Sequence, residues 1–145
     1  MQLPAFLVSG VRSDTVIRLR HSPIPPACTL WHASCMPKQT IFHRILSREI
    51  PASVVYEDDE VLAFKDIHPK AATHLLFIPK QFVASIADVT PETAHLPGML
   101  ILRAQKFALE QGIAGYKLTF HVGKGGGQEV MYLHLHFLSE ETPRE

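Results

Sequence analysis

The stretch from Gly123 to Leu138 constrains this chain more than any other. From Tyr132 onward, Tyr132, His134 and His136 alternate with Leu133, Leu135 and Phe137. Successive side chains of a strand point to opposite faces. The alternation therefore predicts a strand that packs its apolar set on a core and lines the other face with rings. Two of those rings titrate near neutral pH. Just before them lies Gly123-Lys124-Gly125-Gly126-Gly127-Gln128-Glu129. Glycines permit sharp turns and close backbone approach to a ligand. Loop and strand together point to an anionic ligand and proton chemistry. Taken alone, the same residues also fit cross-strand packing, a metal-binding pair or a loose hairpin.

A chain of 145 residues has room for one domain with a single core. Its 14 Lys+Arg balance 14 Asp+Glu, so no global field draws it to nucleic acid or to a membrane surface. Cys28 and Cys35 form neither a C-x-x-C pair nor a disulfide framework, which fits a reducing, cytoplasmic setting. No apolar run approaches the roughly 18 residues of a spanning helix. Residues 1–39 carry five prolines, a single acid (Asp14) and no periodicity, and they read as a weakly ordered extension. Met36 is a second plausible start.

From Thr40 the pattern becomes regular. Ile41, Phe42, Ile45, Leu46 and Ile50 form one helical stripe, capped by Thr40 and stopped by Pro51. Val54–Glu57 and Val61–Asp66 read as a hairpin around Asp58-Asp59. His74–Lys80 is a third strand. Thr90 and Pro91 open a long amphipathic helix through Leu96, Met99, Leu100, Phe107 and Leu109, which Pro97 is placed to kink and Gly112 ends. Tyr116–Val122 is a fourth strand, and the histidine strand is the fifth. The expected class is α+β, a five-stranded antiparallel sheet with one short and one long helix.

Gly-Gly-Gln-Glu-Val followed by His-x-His resembles the histidine-triad (HIT) family. Thr40-Ile41-Phe42, Arg48-Glu49-Ile50-Pro51, Tyr56-Glu57-Asp58-Asp59, Ala63-Phe64-x-Asp66-Ile67 and Ala72-Thr73-His74 with Ile78-Pro79-Lys80 are similar to its Hint branch, the purine nucleoside phosphoramidases. The likeness spans Thr40 to Leu138, so it sets 40–138 as the HIT domain and 139–145 as a tail. One departure stands out: the first triad position is Tyr132.

The resemblance implies hydrolysis of purine nucleoside phosphoramidates through a covalent nucleotidyl intermediate. His134 is then the nucleophile, His136 holds a phosphate oxygen, and His74 lies near the phosphate. Asp66 accepts the ribose hydroxyls, and Ile41, Phe42, Ile45, Phe64 and Ile67 form the base pocket. Gly127, Gln128 and Glu129 flank the phosphate, and His121 stands where relatives carry asparagine. Thr40 and His43 occupy the cysteine positions of the zinc site found in some relatives, so no structural zinc and no cofactor are expected. A homodimer through the long helix and the Tyr116–Val122 strand is expected. The competing functions are a purine nucleotide-binding or scaffold protein weakened by Tyr132, and a dinucleoside polyphosphate hydrolase. On this reading, Tyr132→His restores an imidazole that acts with His74 and raises the rate.

Overall fold

The computed structural model describes residues 39–144; the expected extension over 1–39 lies, but for Gln39, outside them. The sheet has five antiparallel strands: β1 (Val54–Glu57), β2 (Val61–Lys65), β3 (Thr73–Pro79), β4 (Lys117–Phe120) and β5 (Leu135–Ser139). Their spatial order is β1-β2-β3-β5-β4. Helix α1 (Ile41–Leu46) covers part of one face, and α2 (His95–Gln111) covers the other. No helix among the described residues is long and apolar enough to cross a membrane.

The register distributes the side chains. On the α2 face lie Val61 and Ala63 from β2, Leu75 and Phe77 from β3, and Leu135 and Phe137 from β5. Against them α2 packs Leu96, Leu100, Ala104, Phe107 and Ala108, a stripe at helical spacing. Each large side chain buried here contributes roughly 1.5–3 kcal/mol. On the other face, Leu62, Phe64, Leu76 and Ile78 meet Phe42 and Ile45 of α1 and Tyr132. Every residue of β3 is buried because both its faces are covered.

The helices differ from expectation at their ends. Helix α1 stops at Leu46 rather than running to Ile50. Ser47 Oγ donates to the Arg44 carbonyl, and Arg48 takes a positive φ of 63°, so the chain leaves the helix before Pro51 acts. At its start, the Thr40 amide donates to His43 Nδ1 at 3.1 Å. Helix α2 begins at His95, not at Pro91. The Thr93 hydroxyl accepts the Thr90 amide (2.9 Å), which closes a separate turn ahead of the helix. That places Pro97 third in α2, among the first residues whose amides lack an intrahelical partner, so it removes no hydrogen bond. Gly112 ends α2 at φ 68°, a left-handed conformation suited to glycine. The residues after β5 are tied to the fold. Glu141 accepts the amides of Ala114 and Gly115 at 2.9 Å each.

Candidate active site

Helix α1 is only six residues long, so it leaves one end of its face uncovered. At that end β3 presents His74, β5 presents His136, the segment after β4 presents His121, and the segment entering β5 presents His134. Asp66 joins them from the loop after β2.

The regular strand begins at Leu135, not at Tyr132. Before it the chain turns tightly enough for His134 Nδ1 to reach the carbonyl of Tyr132 at 2.7 Å. A carbonyl only accepts, so Nδ1 carries the proton and Nε2 keeps its lone pair. Phe42 packs edge-on against His134, with ring centroids 5.4 Å apart. The His136 ring lies 4.9 Å from that of His134 and 4.5 Å from that of His121. His74 Nε2 meets His136 Nδ1 at 2.9 Å and approaches Asp66 Oδ2 at 3.5 Å. Asp66 Oδ1 accepts the His68 amide at 2.8 Å, so Asp66 is both a turn residue and a member of the cluster.

Burial favours neutral imidazoles here. It pushes the His134 pKa down from its ordinary value, helped by neighbouring His121. Burial, then the positive potential of His134, His121 and His74, takes His136 down to about 4. Tyr132, wholly buried, is pushed up to about 12 by burial, so its phenol stays protonated.

Tyr132 lies on the same face as His134 and His136, as expected, but at its apolar end. Its ring packs with Phe42, and its hydroxyl donates to the Pro79 carbonyl at 2.7 Å. It therefore makes no partnership with His74; the histidine that pairs with His74 is His136. Only the Tyr132 carbonyl reaches the cluster.

The glycine loop contains a single helical turn, Lys124–Gly126, and Gly127 closes it at φ 82°. Gln128 was expected beside a ligand, but it is 4% exposed and spends its amide on backbone. Its oxygen accepts the Gly123 amide at 3.0 Å, and its nitrogen donates to Ala84 at 2.7 Å and Val130 at 3.1 Å. Gln128 holds the loop's shape, while Gly127 and Glu129 are exposed on it. Among the expected base-pocket residues, Phe42, Ile45 and Phe64 are buried together. Ile41 and Ile67 are exposed, at 43% and 81%.

Among the described residues, two sets of side chains have ligand atoms within 4.8 Å of one another and so could hold a metal: His121, His134 and His136, and Asp66, His74 and His136. His43, which stands where some relatives carry a zinc-site cysteine, accepts from the Thr40 amide.

Residues 39–145 match a family model described as scavenger mRNA decapping enzyme C-term binding. The chain is 45% identical over 105 residues to the purine nucleoside phosphoramidase of Escherichia coli K12, covering 71% of this chain and 88% of that protein. The chain belongs to the histidine-triad family. It is also 45% identical over 104 residues to an uncharacterised HIT-like protein of Synechococcus elongatus, covering 71% and 91% of the two chains. A solved HIT family hydrolase from Legionella pneumophila Philadelphia 1 superposes with a TM-score of 0.68 at 46% identity, over 72% of this chain and 95% of that one. This HIT protein is accordingly a hydrolase, and its five-stranded α+β architecture is that of its solved relatives.

Sequence reasoning missed three backbone groups that hold expected site residues or their neighbours in place: the carbonyl of Pro79 on Tyr132, the carbonyl of Ala84 on Gln128, and the amide of Lys70, which donates to His74 Nδ1 at 3.3 Å. Backbone groups are the same in every residue type, so no sequence signal marks them.

Proposed function

We infer that this HIT-family nucleotide hydrolase cleaves purine nucleoside phosphoramidates, of the adenosine 5′-monophosphoramidate type, and related nucleotide conjugates. The observation that carries this reading is the hydrogen bond from His134 Nδ1 to the Tyr132 carbonyl. It leaves Nε2 unprotonated, as a nucleophilic imidazole must be, on a ring that lies beside His136. The Nε2 lone pair attacks the α-phosphorus. The P–N bond to the amine breaks as its nitrogen takes a proton from solvent, which the attacking water of the next step returns, and the amine leaves. Water then attacks phosphorus, the P–Nε2 bond breaks, and AMP or GMP departs.

The remaining residues take consistent roles. Asp66 Oδ2, free of backbone contacts, accepts from ribose. Phe42, Ile45 and Phe64 form the floor of the base site, and Ile41 and Ile67 its rim. His121, Gly127 and Glu129 lie around the phosphate, where His136 donates to an oxygen. No residue in this scheme needs a cofactor. The domain comprises 40–138, extended by the contacts of Ser139 and Glu141.

The protein works as a homodimer on this reading. Ile101, Leu102 and Leu109 of α2 are exposed, as are Tyr116 and Val122 beside the free edge of β4. A second copy docked there covers both the apolar side chains and the edge. Light scattering at micromolar concentration tests this, and a monomer would refute it. For the chemistry, incubation with adenosine 5′-monophosphoramidate should release AMP. Binding of AMP without any turnover would favour a nucleotide-binding protein instead.

A further inference from the structure

His136 Nε2 is buried and has no hydrogen-bond partner among the described residues, a costly state for a polar group. Its protonation follows from two contacts further back. The Lys70 amide donates to His74 Nδ1 at 3.3 Å, so that nitrogen carries no proton. A neutral His74 then carries its proton on Nε2. Both groups facing Nε2 suit a donor: His136 Nδ1 at 2.9 Å, and the carboxylate Asp66 Oδ2 at 3.5 Å, which only accepts. Since His136 Nδ1 receives that proton as an acceptor, a neutral His136 carries its own proton on Nε2.

We propose that His74 is a positioning residue that sets the tautomer of His136, through a relay from the Lys70 amide to His74 to His136, so that His136 Nε2–H is held ready for a phosphoryl oxygen. The unpartnered group is thus a donor awaiting an acceptor. The two triad imidazoles have opposite tautomers with complementary roles. His134 offers a lone pair because a carbonyl holds its Nδ1 proton. His136 offers an N–H because His74 occupies its Nδ1. His74, 4% exposed, acts from behind rather than on the phosphate. This role of His74 does not depend on the side chain at the first triad position, Tyr132. The catalytic consequence rests on the function proposed above, whereas the position of the protons does not.

Two-bond proton–nitrogen correlation spectra of the full chain labelled with ¹⁵N-histidine separate the tautomers at pH 7, with peaks assigned by single substitutions. Expected are Nε2–H on His74, Nδ1–H on His134 and Nε2–H on His136. An Nδ1–H tautomer or a doubly protonated ring at His136 would overturn the proposal, and this measurement needs no variant to fold. A pair of variants then reads the consequence. The His74→Gln amide donates from near the same place and keeps the His136 tautomer and most of the turnover. His74→Met fills similar volume without a donor. It lets the tautomer redistribute and lowers kcat by up to about 10²–10³-fold, the cost of one transition-state donor, with little change in KM. Unchanged kcat and tautomer in His74→Met would refute the relay. If no phosphoramidate is turned over by the wild type, the functional reading fails, while the spectra still decide where the protons sit.

Discussion

The two faces of the sheet are built from the same strands and end up with opposite properties. The α2 face is closed from end to end by a helix of 17 residues. The α1 face has six residues of helix, which cover only the half nearest Tyr132. Strand β5 contributes to both: Leu135 and Phe137 go to the closed face and His136 to the open one. The difference teaches that the site is made by a missing length of helix as much as by the histidines. The closed face supplies stability. The half-closed face supplies a surface dry enough to keep imidazoles neutral and open enough to admit a ligand.

The comparison breaks if a substitution on one face produces the effect assigned to the other. The largest expected effect is on the open face. His134→Ala should lower turnover by roughly 10⁴- to 10⁶-fold, as losses of a nucleophile do, with AMP binding retained. Steady-state and single-turnover assays beside a binding titration check this. On the closed face, Phe77→Ala removes a wholly buried ring and should cost about 3–5 kcal/mol in denaturant unfolding. Its folded fraction should still turn substrate over, and a specific catalytic defect would show that the two faces are not separable.

Smaller effects sharpen the boundary between the halves of the open face. Asp66→Asn should weaken AMP binding by about 1–3 kcal/mol, because the carboxylate accepts from both ribose hydroxyls and the amide offers one oxygen. Equal affinities by calorimetry would leave Asp66 as the turn residue that its bond to His68 already makes it. Tyr132→His should not raise the rate, contrary to the expectation from the triad pattern, because the side chain at 132 faces Phe42 and Pro79 rather than His74. Instead it should destabilise by about 1–2 kcal/mol, since the Pro79 carbonyl loses its partner. A faster variant with a shifted pH profile would contradict that placement.

The smallest effect is that of pH on stability. Folding holds the His136 pKa at about 4, below its ordinary 6.5, so the unfolded chain binds the proton more readily. The contribution is complete above pH 6.5 and is lost as pH falls from there toward about 4. On a partly open ring, solvent screening reduces it to about 1 kcal/mol at most. Denaturant midpoints for wild type and His136→Gln across this window should converge on the acid side. Parallel curves would show that burial does not hold this ring neutral.

Much of this was legible in the sequence. Short apolar runs bounded by turn residues at Val61–Phe64 and Leu75–Ile78, and period-two alternation at Leu135–Phe137, are strand signals, so the strands and the fold class could be read. His134, His136, His74 and Asp66 were legible through the family motif, and the structure brings them together. What escaped depends on tertiary context. Nothing local says that Arg48 adopts a positive φ, that a Thr90–Thr93 turn delays α2, or that Gln128 turns inward to brace backbone. Alternation placed Tyr132 on the same face as His134 and His136, but it could not say that the ring turns to Phe42 and the Pro79 carbonyl rather than to His74. The Tyr132 side chain serves the apolar half of the open face, and its carbonyl serves the site.

The central claim is that His134 Nε2 is the nucleophile. It is tested most directly by rapid-quench mass spectrometry of the protein mixed with adenosine 5′-monophosphoramidate, followed by peptide mapping of the adduct. The account predicts a transient adenylyl group on His134 that decays as AMP appears, and no adduct in His134→Ala. An adduct on another residue, or AMP release at the wild-type rate by His134→Ala, would contradict it.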